Sequence, residues 1–276
     1  MPSEPAVPLP SSTLILLRDP GPADALSVLL VERHGSIAFP GAHAFPGGVV
    51  DPGDADAPAA SLPADQAWAP ADEGDRPPDA LRYWVAALRE LFEEVGILVA
   101  TRGGRDVDGP LDDAMAALRT RVHAGEPFAH VLASAGLAPA THRLFSFARW
   151  VTPVASPRRW DTRFLVARAP AGQEPVADGT ETVSARWFTP RAALAAYEAG
   201  EITLLPPTVR TLDDLTRFPS VDAVLADASR RIVRAKRPEF ANEGGTTVLR
   251  YPDNTGGAGV PERRLVLRDG RWVPAD

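Results

Sequence analysis

Three glutamates within one nine-residue stretch, R-E-L-F-E-E-V-G-I over residues 89–97, are the groups in this chain best placed to do chemistry. On a helix, Glu90, Glu93 and Glu94 are related by i, i+3 and i+4, so their carboxylates share one stripe. Like charges at that spacing repel, at a cost of roughly a few tenths of a kcal/mol per pair. A hard divalent cation offsets the repulsion, and three clustered carboxylates suit Mg²⁺ or Mn²⁺ better than Zn²⁺. Leu88, Leu91 and Val95 line the other side and can hold the helix against a sheet, which gives a metal site rigidity. Alone, an E-x-x-E-E run reads as the solvated face of an amphipathic helix. Its surroundings decide between the two.

Apolar residues at spacings of three and four (Leu81, Trp84, Val85, Leu88, Leu91, Phe92, Val95) predict a helix over 78–95, with Gly96 as its C-terminal cap. Strands are expected at 12–17 and 26–32, separated by the turn-forming D-P-G-P-A-D-A, and again at 144–152, 162–168 and 182–188. Further helices are expected at 111–124, 126–135, 191–199, 208–215 and 221–236. The tail offers two short strands, 246–251 and 264–273, the latter interrupted by the turn pair Asp269-Gly270. Residues 55–74, rich in Ala, Pro and Asp and without period, read as a solvent-exposed insertion. Strands on both sides of a central helix, with helices late in the chain, imply an α/β fold: an α/β/α sandwich around a mixed β-sheet. The expected division is a domain over 1–220 with an insertion loop at 55–80, then a C-terminal helix and β-hairpin extension over 221–276.

At 276 residues the chain can bury a substantial core, and its net charge of −7 gives no basic surface to track a nucleic-acid backbone. No nucleic-acid partner is expected. The absence of cysteine excludes disulfides, thiolate metal sites and cysteine nucleophiles, and fits a reducing cytoplasm. The first residues have no basic segment ahead of a long apolar core, and no apolar run approaches the ~20 residues of a membrane helix. The expectation is a cytoplasmic protein without a membrane partner.

Upstream of the glutamates lies G-G-V-V-D-P-G-D, residues 47–54. With the helix it resembles the Nudix box, G-x5-E-x7-R-E-U-x-E-E-x-G-U, where U is a bulky aliphatic residue. Gly48 matches the first glycine, Arg89 and Glu90 the R-E pair, Leu91 the aliphatic position, Glu93 and Glu94 the E-E pair, and Gly96 and Ile97 the closing pair. There are two departures. Asp54 stands where the family usually has its first glutamate, and 34 residues, 55 to 88, stand where seven are usual. Loop closure costs grow only with the logarithm of length, so the box survives if its ends converge.

The resemblance implies a Nudix fold and Mg²⁺-dependent (or Mn²⁺-dependent) hydrolysis of a pyrophosphate. Glu90, Glu93 and Glu94 would hold the metal, which neutralises phosphate charge and acidifies a bound water. Gly47 and Gly48 would let the backbone turn tightly, and Arg89 would pair with Asp54 to orient the glutamates. A further carboxylate, as ligand or general base, is expected from a loop before a late strand, and Glu181 in D-G-T-E is the candidate.

The stretch G-A-H-A-F-P-G-G-V-V-D-P-G-D, followed by the long interruption, is similar to the coenzyme A diphosphatase-like branch, whose mammalian members are peroxisomal. A-R-W-V-T-P at 148–153, W-D-T-R-F at 160–164 and L-L-P-P at 204–207 fit it too. That branch implies CoA or acyl-CoA as substrate, cleaved to 3′,5′-ADP and (acyl-)phosphopantetheine. Arg33, His43 and Arg163 are candidate substrate contacts, with Arg149, Arg158 and Arg159 as further phosphate partners and Trp150, Trp160 and Trp187 as adenine platforms. An ADP-ribose or NADH pyrophosphatase, and a non-catalytic module that senses a nucleotide, stay open as alternatives. A homodimer is expected by analogy with the family.

Overall fold

The run Leu14-Ile15-Leu16-Leu17 sets the centre of the fold. A strand with no polar residue to offer solvent must be covered on both faces, and all four side chains are fully buried. The computed structural model describes residues 5–19, 26–35, 39–57, 60–67, 79–252 and 262–275; the turn expected at 20–25 and the helix start expected at Pro78 lie outside them.

In chain order come β1 (Leu9–Arg18), β2 (Ser27–Arg33), β3 (Ala42–Ala44), β4 (Gly47–Val49) and α1 (Leu81–Val95). Next are β5 (Ala100–Arg102), β6 (Arg105–Asp106), α2 (Asp113–His123), α3 (Phe128–Ser134), β7 (Leu137–Pro139), β8 (Phe145–Val151), β9 (Trp160–Arg168) and β10 (Thr182–Phe188). The remainder is α4 (Pro190–Ala199), β11 (Thr203–Leu204), α5 (Pro206–Leu215), α6 (Val221–Arg230), β12 (Ala235–Lys236), β13 (Glu239–Glu243), β14 (Thr246–Pro252), β15 (Glu262–Arg268) and β16 (Arg271–Pro274).

Among the described residues nine strands form the main sheet, in the order β11-β3-β2-β1-β9-β8-β12, with β10 paired to β2 and β4 to β1. β1 and β9 run parallel from Leu9 opposite Trp160 to Leu17 opposite Arg168, while β2 and β4 meet β1 antiparallel, so the sheet is mixed. Leu14 and Leu16 pack with α1 and α3 on one face; Ile15 and Leu17 pack with α4, α5 and α6 on the other. This is the expected α/β/α sandwich. No helix among the described residues is long and apolar enough to cross a membrane.

α1 forms because its apolar residues keep the 3.6 period, and it stops at Gly96, which takes the left-handed φ of +69°. The last four carbonyls of a helix have no partner within it, and here each finds one outside. Phe92 O accepts from Gly96 N–H at 2.9 Å, and Glu93 O from the Arg119 guanidinium at 2.7 and 3.0 Å. Glu94 O accepts from Asp178 N–H at 3.0 Å and the Thr182 hydroxyl at 2.9 Å, and Val95 O from Val176 N–H at 2.9 Å. The segment before β10 is thereby fastened to the end of α1.

Three regions differ from the sequence-based expectation. Residues 60–67, expected to be solvent-exposed, are pinned to the body: the buried Gln66 accepts from Ser146 N–H at 2.6 Å and donates to Ala228 O at 3.3 Å, and Ala67 N–H meets Ser229 O at 2.6 Å. Composition without period says nothing about where one glutamine finds buried partners. The helix expected over 221–236 ends at Arg230, because residues 235–236 pair instead with the open edge of β8. The expected tail hairpin is a four-stranded antiparallel sheet, β13-β14-β15-β16. Its extra strand returns through Gly244-Gly245, both at positive φ (58° and 88°), the requirement of a tight two-residue turn. Leu249, Tyr251 and Leu265 of this sheet share the core beneath α4 and α5.

Candidate active site

Arg89 is buried in the middle of α1 and its guanidinium reaches both halves of the interrupted motif. Nε donates to Asp54 Oδ1 at 2.9 Å, and Nη2 to Asp54 Oδ2 at 3.1 Å and to Val49 O at 2.8 Å. Nη1 donates to Glu90 Oε1 and to Glu93 Oε2, both at 2.8 Å. This planar fork suits two-pronged carboxylate binding. Asp54 also accepts Asp51 N–H at 2.7 Å, closing the 3-10 turn Pro52–Ala55. Burial disfavours charge on Arg89, yet the hydrogen bond to Asp54 and the charges of Glu90, Asp54 and Glu93 outweigh it and raise its pKa above the ordinary range.

One helical turn on, the acids have a different environment. Glu90 and Glu94 are buried, and each offers a carboxylate oxygen within 4.8 Å of the other and of Glu181, which is exposed in the loop just before β10. Glu94 Oε2 accepts Gly47 N–H at 3.1 Å. A side chain at Gly48 would displace the Glu90 carboxylate, since a Cβ there would sit 2.4 Å from Glu90 Oε1. Burial foremost pushes Glu90 up to about 7, against the attraction of Arg89 and with the repulsion of Glu93 and Glu181. Burial, then the charge of Glu90, raise Glu94 well above the usual carboxylate range, opposed by Gly47 N–H and Arg33. Three converging carboxylates, two of them buried at a cost to their charged forms, fit a cation, and an all-oxygen donor set fits a hard one such as Mg²⁺ or Mn²⁺. Glu93 stands outside this group, with its carboxylate on Arg89.

The NUDT19 Nudix domain family matches residues 57–215. The chain belongs to this Nudix family. Curated relatives of this Nudix protein include the acyl-coenzyme A diphosphatase NUDT19 of Gallus gallus, 30% identical over 245 residues, covering 73% of this chain and 64% of the relative. The Homo sapiens protein of the same name is 28% identical over 241 residues, again covering 73% and 64%. The chain thus spans about 64% of the length of these relatives. Among solved structures, a NUDIX hydrolase from Alicyclobacillus acidocaldarius superposes with a TM-score of 0.67 at 30% identity, covering 80% of this chain and 96% of that one.

Within this Nudix fold the aspartate in place of the first glutamate reaches Arg89 with both oxygens, so the shorter side chain keeps the pair. The other sequence candidates divide. Arg33, at the end of β2, lends positive charge to Glu94. His43 is buried on β3 opposite Glu32, its ring edge-on to Phe188 at 6.5 Å, and Phe188 belongs to the core on the face away from α1. Arg163 is buried with its guanidinium 3.8 Å above the Tyr83 ring. Arg149 grips Asp161 at 2.6 and 2.8 Å, and Arg159 donates to Thr152 O and Ala6 O, while Arg158 is exposed. Trp150 packs in the core against Tyr251, Trp160 meets Phe39, and Trp187 lies 4.2 Å beneath the Arg18 guanidinium. Arg119 and Thr182, which hold the end of α1, were not among the sequence candidates. Thr182 had a signal, because Asp-Gly-Thr before a strand marks a side-chain-closed turn; Arg119 had none.

Proposed function

We propose that this chain is a divalent-metal-dependent pyrophosphatase that cleaves CoA or acyl-CoA to 3′,5′-ADP and (acyl-)phosphopantetheine. The observation that carries the reading is the convergence of Glu90, Glu94 and Glu181, from two separate chain segments, to within 4.8 Å. The name of the curated relatives, acyl-coenzyme A diphosphatase, supports the choice of substrate.

In this reading Glu90 and Glu94, oriented by Arg89 and Gly47 N–H, would hold Mg²⁺ with Glu181. When bound, Mg²⁺ supplies charge neutralisation at the pyrophosphate oxygens and a more acidic water. Glu181, the exposed member, takes the proton of the water that adds to one phosphorus as the bridging P–O bond breaks and the other phosphate leaves as a monoester. Arg33 offers its guanidinium to a substrate phosphate.

The test is turnover of CoA, an acyl-CoA, ADP-ribose and NADH by the purified chain in Mg²⁺, with products separated chromatographically. Release of 3′,5′-ADP with the highest kcat/KM for the CoA compounds supports the reading. Preference for ADP-ribose or NADH moves the substrate, and thermal stabilisation by one compound without turnover replaces the enzyme with a sensor.

A further inference from the structure

Glu181 sits on an exposed loop, yet it must meet two carboxylates fixed on a rigid helix. The loop therefore needs something to order it, and one side chain does so. Asp178 Oδ1 accepts Thr182 N–H at 2.9 Å and the Thr182 hydroxyl at 2.7 Å. Its Oδ2 accepts Thr180 N–H at 3.1 Å and Glu181 N–H at 3.0 Å, and also the Thr180 hydroxyl. A carboxylate accepting from three successive backbone amides fixes the φ/ψ path of the residues between them, Glu181 included.

The same loop is anchored at both ends. Gly179 N–H closes on Thr182 O at 2.9 Å, and His34 N–H donates to Glu181 O at 2.8 Å, joining the loop to the end of β2. Asp178 N–H binds the carbonyl of Glu94, the residue whose side chain belongs to the acid cluster, and the Thr182 hydroxyl shares its single proton between that carbonyl and Asp178 Oδ1. The chain of contacts is short: Asp178 orders residues 180–182, and those contacts reference Glu181 to the backbone of Glu94.

We propose that Asp178 is a positioning residue that sets the Glu181 carboxylate against Glu90 and Glu94, so that metal capture and proton removal depend on a side chain that touches neither metal nor substrate. This rests on the pyrophosphatase reading above.

The experiment is a double-mutant cycle on Asp178→Ala and Glu181→Ala, followed by Mn²⁺ affinity from titration calorimetry and by kcat and KM for the best substrate. Asp178→Ala is expected to lower Mn²⁺ affinity and kcat by roughly 10- to 100-fold, the usual scale for groups that orient metal ligands, with KM nearly unchanged. The double variant is expected to be no worse than Glu181→Ala alone. Losses that multiply in the double variant overturn the proposal, because Asp178 then acts on something other than Glu181. Asp178→Asn keeps the size but replaces an acceptor oxygen with a donor facing donors, so it tests the same link if the alanine variant folds poorly. Wild-type affinity and kcat in Asp178→Asn would also overturn it. If the wild type turns over no compound but the Mn²⁺ cycle remains non-multiplicative, the positioning role stands and the hydrolase reading falls.

Discussion

Glu93 and Glu94 are neighbours in sequence and identical in chemistry, yet they belong to two different clusters. Glu93 shares Arg89 with Asp54 and Glu90, in a group that carries its own counter-charge. Glu94 stands with Glu90 and Glu181, held by a backbone N–H, with two like charges beside it and Arg33 as the opposing one. A carboxylate hydrogen-bonded to a buried arginine has a fixed partner within the protein, whereas acids that converge on one another form an arrangement that a cation from solution would fit. Glu90 belongs to both groups and couples them.

The comparison can be broken most directly at Glu94. Glu94→Gln is expected to lower kcat on the order of 10⁴-fold, the equivalent of about 5 kcal/mol of transition-state stabilisation, without loss of thermal stability. A variant that melts many degrees lower would place Glu94 in the structural cluster instead. Arg89→Met should do the reverse first: removing the guanidinium strands buried Asp54 and Glu90, at a cost of roughly 3–5 kcal/mol in chemical denaturation.

A smaller effect separates the clusters by pH. Without metal, Glu90 titrates in the folded protein at about 7 against an ordinary 4.5. The folded state then holds this proton more tightly than the unfolded state, so the contribution of Glu90 to stability is fully present below 4.5, declines as pH rises to about 7 and is gone beyond. Melting in EDTA should show that decline. Added Mg²⁺ should reduce it, and Glu90→Gln should lose this contribution; a decline unchanged in Glu90→Gln assigns it to other groups. The smallest expected effect is at Glu93, where the glutamine variant should lose only about 10-fold in kcat, about 1.4 kcal/mol, because its carboxylate serves Arg89. Equal losses at Glu93 and Glu94 would erase the distinction.

The local part of this arrangement was legible in the sequence. The periodicity of Leu81 to Val95 marked α1, the spacing of Glu90, Glu93 and Glu94 put them on one stripe, and the resemblance to the Nudix box implied the pairing of Asp54 with Arg89. That Glu93 stands apart from the converging acids was not legible, because Glu93 and Glu94 differ only in what lies across from them, and that is set by β4 and the loop before β10. The surroundings of His43 and Arg163 were not legible either, since long-range packing sets one edge-on to Phe188 and the other over Tyr83. The pinned stretch around Gln66 and the strand β13 escaped for a related reason. Their partners, Ser146, Ala228 and β14, lie far along the chain or beyond a turn whose two glycines carried the only local signal.

The capping of α1 has an electrostatic consequence. Aligned peptide dipoles leave the C-terminal end of a helix with roughly half a negative charge, and Glu94 sits in that last turn. The backbone thus adds its own field to the carboxylates, which would deepen the well for a dication and makes the helix end less comfortable without one. The Arg119 guanidinium on Glu93 O and the amide of Asp178 on Glu94 O screen part of that field at the carbonyls themselves. They leave the helix stable while the side chains keep their pull.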